Sequence, residues 1–191
     1  MCIRDSRVFR KAEDLDRVIL PISFDCTKEA RALNVQTRKE ALRYLADGGA
    51  MGVFPGGTVS TSARPFSQPM DPGWRTFTAK MIAKSDATVV PIFFEGTNSR
   101  LFQVASHLHT TLRMALLIKE FKRRTDEPVR LCIGAPIARD ALAPYLTDPK
   151  AMMDFLRAET YALSPMPFGS GYGFEFEDIH KRLGENGGRN I

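Results

Sequence analysis

Cysteine is scarce in this chain: Cys2, Cys26 and Cys132 are the three in 191 residues, and no Cys-x-x-Cys pair occurs. An odd, scattered set argues against a disulfide framework or a thiolate zinc site and points to a reducing compartment. No run of about 18 apolar residues is present, so no segment reads as a transmembrane helix. The opening Met1-Cys2-Ile3-Arg4-Asp5-Ser6-Arg7 lacks the apolar centre of a secretory signal. No Gly-Lys-Ser or Gly-Lys-Thr occurs, which excludes a Walker phosphate loop, and no Gly-x-Gly-x-x-Gly is found either. Aromatic residues are not interleaved with the basic clusters, which argues against RNA binding.

What is there suits one domain with a sizeable core. Hydrophobic residues make up 43% of the chain and charged residues 26%, which excludes disorder throughout. The net charge of +5 fits an anionic partner, whether phospholipid headgroups, an acidic carrier protein or nucleic acid. It equally fits a basic surface kept for solubility.

Elements follow from periodicity. Val18 to Phe24 is apolar and β-branched and reads as a buried strand. Thr37-Arg38-Lys39-Glu40 matches a capping box and opens a helix with Ala41, Leu42 and Leu45 on one face, closed by Gly48-Gly49. Ala50 to Phe54 reads as the second strand, and Pro55 to Gly73 as a long functional loop. Trp74 to Lys84 has helical spacing. Thr88 to Phe94 is a nearly unbroken apolar strand, the pattern of a sheet covered on both faces. Leu101 to Arg124 reads as one helix with a basic end. Val129, Leu131 and Ile133 alternate as a strand, and Asp148-Pro149 caps a helix buried through Met152, Met153, Phe155 and Leu156. The alternation predicts an α/β fold, a mostly parallel sheet flanked by helices. It places an α/β domain at 7–145, a C-terminal helix at 146–164 and a flexible Gly-rich tail at 165–191.

The candidate site is the loop Phe54-Pro55-Gly56-Gly57-Thr58-Val59-Ser60. It follows a predicted strand, where α/β proteins bind ligands. Gly56 and Gly57 let backbone N–H groups approach an anion, and Thr58, Ser60, Thr61 and Ser62 add hydroxyls. Arg64, Arg75 and Lys80 are near enough in sequence to add positive charge. The same Gly-Gly step also serves as a plain turn.

Phe54-Pro55-Gly56-Gly57-Thr58 resembles the Phe-Pro-Glu-Gly-Thr block of the lysophospholipid (glycerolipid) acyltransferase family. Val89-Val90-Pro91-Ile92 resembles that family's later Val-Pro block. The stretch Val90 to Phe102, VPIFFEGTNSRLF, and the strand Val129 to Ile133 with Gly134-Ala135-Pro136-Ile137 are similar to its hemolysin-like bacterial branch. The similarity runs from about Val18 to Ile137.

The resemblance implies transfer of a fatty acyl group from acyl-CoA or acyl carrier protein, as co-substrate, to a lysolipid hydroxyl in membrane lipid synthesis. It implies no cofactor and no metal. In that family a His-x-x-x-x-Asp pair supplies the general base and its orienting carboxylate. Phe54, Pro55, Gly56, Gly57, Thr58, Ser60, Pro91 and Arg100 are the substrate-binding residues carried over to this sequence.

Two departures stand out. Five residues beyond His107, His109 and His180 lie Leu112, Met114 and Glu185, so the base pair is absent and the catalytic residues are unknown. His180 with Glu185 has the spacing but follows the blocks it should precede, and His107 and His109 read as surface or partly buried residues. The abrupt start predicts that the pair lies upstream in the native sequence and that the chain as given is inactive. The family's glutamate and arginine positions are held by Gly56 and Val59, which puts lysophosphatidic acid in doubt as acceptor and leaves other lysolipids open. Arg64 or Arg100 reads either as the replacement cation or as a solvated surface arginine.

Thr111 to Ile118, with the basic run ending at Arg124, reads either as a bilayer-docking helix or as a core helix with a charged last turn. The expected partners are a lysolipid, an acyl donor and a membrane surface, with no nucleic acid. The expected location is cytoplasmic, peripheral on the inner face of the cell membrane. Alternatives are a non-catalytic lipid- or partner-binding member of the same fold and a phosphate-binding α/β module.

Overall fold

The computed structural model describes Leu20 and residues 27–174. In chain order the elements are α1 (Lys28–Ala46), β1 (Thr61–Ser62), β2 (Pro69–Met70), α2 (Phe77–Ile82), β3 (Ile92–Phe94), α3 (Arg100–Leu108), α4 (Thr110–Arg124), β4 (Leu131–Ile133), α5 (Arg139–Leu142), a 3-10 turn (Ala143–Tyr145) and α6 (Pro149–Ala162). The fold is therefore mixed helix and strand. It divides into two compact units, one of 27–58, Trp74–Pro91 and Gly134–Glu159, the other of Val59–Gly73, Ile92–Ile133 and 160–174. The strand expected over Val18–Phe24 lies outside the described residues except for Leu20.

In the first unit, α1 starts ten residues before the predicted capping box. The Thr27 hydroxyl accepts the Ala30 N–H at 3.1 Å, and Glu29 places an acid in the first turn. Thr37 is a buried mid-helix residue instead of a cap, and the Glu40 carboxylate accepts from Gln36 Nε2 at 3.0 Å. The predicted stop is observed: α1 ends at Ala46, followed by Gly48. Residues 50–54 form no ladder. Their burial still alternates, with Met51 and Val53 half-buried and Gly52 and Phe54 exposed, so the period is strand-like.

The core of this unit joins Ala79 and Ile82 of α2 to Leu142 of α5 and Met152, Met153 and Leu156 of α6, with Trp74, Val89 and Ile137 against them. As Asp148-Pro149 predicts, the Asp148 carboxylate accepts the Lys150 and Ala151 N–H groups, each at 3.0 Å. Arg139 Nη1 donates to the Ile82 carbonyl at 3.0 Å, placing a cation on the last turn of α2.

In the second unit both ladders are antiparallel. Thr61 pairs with Met70, and Ile92, Phe93 and Phe94 pair with Ile133, Cys132 and Leu131. The mostly parallel sheet is thus not found among the described residues. The physical reason lies at His109. Its extended backbone (φ −160°, ψ 139°) breaks the expected single helix into α3 and α4, and its Nδ1 accepts the Thr111 N–H at 3.1 Å as an N-cap. One helical crossover returns a chain parallel to its first strand, whereas two passes return it antiparallel.

The strand over 88–94 is not covered on both faces. Phe93 is buried while Ile92 and Phe94 are exposed, as are Leu131 and Ile133 opposite them. Phe93 meets Tyr161 and Phe168 edge-on, with ring centroids 5.9 and 5.6 Å away. Residues 165–174 of the expected tail are tied down. The Gly173 N–H donates to Asp71 O at 2.8 Å and the Phe174 N–H to Thr61 O at 3.1 Å. A Cβ at Gly173 would sit 1.8 Å from the Met70 carbonyl, so this approach requires glycine. The remainder of the tail, 175–191, lies outside the described residues. No helix among the described residues is long and apolar enough to cross a membrane.

Candidate functional site

The Phe54 loop is a turn. The Gly57 N–H donates to Phe54 O at 3.2 Å across Pro55 and Gly56, and Gly57 takes a positive φ of 65° that an L side chain resists. The Arg75 N–H donates to Pro55 O at 3.0 Å and fixes the loop to the approach to α2. Gly56 is buried, Phe54 exposed, and Pro55, Gly57 and Thr58 half-buried. Pro91 is buried, its carbonyl accepting the Gly134 N–H at 3.0 Å. All of these belong to the first unit.

Ser60 and Arg100 belong to the second. The Ser60 hydroxyl donates to Asp71 Oδ1, so it is tied to the chain ahead of α2. Arg100 is exposed in the first turn of α3. Arg64, Arg75 and Lys80, the other nearby cations, are exposed. The structure thus gathers Phe54 to Gly57 into one turn of the first unit, which also holds Thr58 and Pro91, and assigns Ser60 and Arg100 to the second unit.

The Glu95–Arg100 segment is held from both sides. Arg124 Nη2 donates to Thr97 O. The Ser99 hydroxyl caps α3 by accepting the Phe102 N–H at 3.3 Å. Glu120 of α4 is buried and paired with Arg123 at 3.1 Å. Burial pushes its carboxyl up. Hydrogen bonds from the Ser99 hydroxyl and N–H, with Arg123 and Arg124 nearby, outweigh this and hold it below the usual range. An acid thereby sits at the positive end of α3.

Because the folded-state pKa lies below the unfolded one, this contribution is complete above about pH 4.3, the ordinary glutamate value. It disappears as pH falls through the folded value. We expect Glu120→Gln to be less stable than wild type at neutral pH in urea titrations. The gap between the two proteins should close as pH falls through the folded-state value. A gap that stays constant across the acid range would remove the charge from the explanation.

Sequence reading missed the most organised polar cluster of the second unit. Arg113 of α4 is buried, and its Nη1 donates to Thr61 Oγ1 at 2.9 Å and to Ser106 Oγ at 2.7 Å. Those hydroxyls pass their own protons to Val59 O at 3.0 Å and Phe102 O at 2.7 Å. The guanidinium lies 4.9 Å from the Phe102 ring centroid. Gln103 Oε1 accepts the Ser62 N–H at 2.9 Å. No sequence motif signals this cluster, since Thr61 and Arg113 are 52 residues apart. The one legible hint is a cation on the apolar side of a helical wheel.

The histidines do structural work. His107 Nε2 lies 2.9 Å from Ser62 O. A carbonyl only accepts, so this nitrogen carries the proton. The ring rests on Phe174 at 4.7 Å. The Ser62 hydroxyl is buried without a partner among the described residues, but the imidazole is bonded to the carbonyl of that residue, so these two side chains do not form a serine–histidine nucleophile. His109 caps α4, and His180 lies outside the described residues. Cys132 donates weakly to Glu95 Oε1 at 3.8 Å. Among the described residues no three His, Cys, Asp or Glu side chains converge as metal ligands.

No family model, curated protein or solved structure matches the chain.

Proposed function

We propose that this chain is the acceptor-binding part of a lysolipid acyltransferase, acting at the cytoplasmic face of the cell membrane and lacking a catalytic base within its 191 residues. The observation that carries the reading is the order of its blocks: Phe54–Thr58, then Val89–Ile92 running into VPIFFEGTNSRLF, then Gly134–Ile137. Acyl-CoA or acyl carrier protein is the donor. The turn at Phe54–Gly57 is the proposed lysolipid contact, and Arg100, exposed in the first turn of α3, is a candidate for the lipid's anionic group. The mostly parallel sheet of the family is left out of the proposal, because the described ladders are antiparallel.

The engaged histidines favour a second reading of the chain as given, a lipid-binding protein without transfer activity. His107 faces a carbonyl and His109 a backbone N–H; neither is poised over a hydroxyl with an acid behind it.

The test has two arms. Incubated with acyl-CoA and lysophospholipid, the 191-residue chain should release CoA only at the uncatalysed rate. Robust turnover would overturn the assignment of the base to residues outside it. Separately, the chain should bind lysolipid in calorimetry, and Arg100→Ala should weaken that binding about tenfold, the loss of one charge-assisted hydrogen bond. Absence of lysolipid binding would end the acceptor-side reading, and unchanged affinity in the variant would end the role of Arg100.

A further inference from the structure

The inward side of α4 holds Arg113 and Glu120, both buried and both hydrogen-bonded, with Leu116 and Leu117 half-buried beside them, while a second set of apolar residues faces solvent. Met114, Ile118 and Phe121 follow the i, i+4, i+7 spacing of one helical face. They are 53%, 59% and 74% exposed. At 100° per residue the three fall within an arc of about 60°, a narrow stripe along the helix.

Lys122 is exposed about 40° around the helix from Ile118 and Lys119 about 100° from it, and Arg123 stands at the same end of the helix. Glu120 is the one acid of α4, and it points inward to Ser99 and Arg123. The exposed side of α4 therefore offers the Met114, Ile118 and Phe121 stripe, Leu112 apart from it, the cations Lys119 and Lys122, and no carboxylate of its own.

We propose that this face docks on an anionic lipid bilayer. The helix lies in the plane of the interface, Met114, Ile118 and Phe121 reach the acyl boundary, and Lys119 and Lys122 meet headgroup phosphates. Nucleic acid would engage the lysines and give the apolar stripe no role. An apolar protein groove would take the stripe and give the lysines none. A bilayer with anionic headgroups uses both at once. The inference deepens the membrane location of the proposed function, and its observations are those of α4, not of acyl transfer.

The experiment is flotation of the 191-residue chain with vesicles of phosphatidylcholine, with and without phosphatidylglycerol. Binding should require phosphatidylglycerol and weaken as salt rises. Removing both charges in Lys119→Ala/Lys122→Ala should reduce partitioning about thirtyfold, two cations at the surface. Ile118→Asp/Phe121→Asp should abolish flotation with an unchanged far-UV circular dichroism spectrum, because both side chains are solvent-exposed. A Phe121→Trp variant should show blue-shifted emission on the mixed vesicles but not on phosphatidylcholine alone.

Equal binding to neutral vesicles, or full binding by either double variant, would overturn the proposal. So would tighter binding to an oligonucleotide than to the vesicles. The vesicles contain neither lysolipid nor acyl donor, so failure here leaves the acyl-transfer reading standing, and the reverse also holds.

Discussion

Phe102→Ala is expected to lower the stability of the second unit by about 3–5 kcal/mol, the usual range for emptying a buried phenylalanine site. Phe102 is fully buried, and it does more than fill space. Its carbonyl accepts the Ser106 hydroxyl, its N–H is bonded to the Ser99 cap, and its ring lies under the Arg113 guanidinium. The backbone bonds survive the substitution, so the loss comes from the cavity and from the cation's lost ring. The measurement is the midpoint of urea unfolding followed by circular dichroism. Phe102→Leu, which retains most of the volume but no ring, should recover more than half. A loss of less than about 1 kcal/mol in Phe102→Ala would mean that α3 is not packed as described.

The second large effect is expected at Arg113. Arg113→Ala should cost about 2–4 kcal/mol, combining two buried hydroxyl oxygens that lose their donor with the loss of a desolvated cation–π contact. The Thr61 and Ser106 oxygens each lose a donor, and no water has ready access because both residues are fully buried. Arg113→Lys is not conservative here. A single ammonium lacks the planar guanidinium that serves two hydroxyls while stacking on a ring, so it should recover only part of the loss. Hydrogen exchange at the Ser62 and Phe174 amides, which bond to Gln103 and Thr61, should accelerate in Arg113→Ala. Protection unchanged at both amides would separate the cluster from the β1–β2 ladder.

These two residues mark where sequence reading ran out. Phe102 sits within the stretch quoted for its resemblance, yet nothing in the spacing shows that its ring carries a buried arginine. Arg113 reads as one more positive charge in a basic helix. Its meaning comes from Thr61 and Ser106, brought to it by two different segments of chain. The exposed stripe on α4 has the same origin. Periodicity predicts that Met114, Ile118 and Phe121 share a face, but it carries no sign saying whether that face turns inward. At β4 the alternation likewise carries no sign: Leu131 and Ile133 are exposed and Cys132 is half-buried.

Elements with local causes were legible. Asp148-Pro149 announced α6 because a carboxylate cap and a proline at the first helical position act within one turn. Gly48-Gly49 announced the end of α1 for the same reason. Phe54–Gly57 was legible as a tight turn, since Pro55 and the two glycines set its backbone themselves. The beginning of α1 was missed where two caps competed: Thr37 has a matching glutamate, but Thr27 captures the Ala30 N–H and the helix runs through Thr37 uninterrupted.

Sequence alone therefore determined the punctuation of this protein: its turns, its helix caps, its basic balance and the period of each apolar face, all of which act over a few neighbouring residues. Tertiary structure decided the rest. A break at His109 turned one helical pass into two and made β3 and β4 antiparallel. Burial of Glu120 and Arg113 turned the cations and apolar residues of α4 outward. Those outcomes depend on contacts between residues tens of positions apart, whose free energies exist only once the chain has closed on itself.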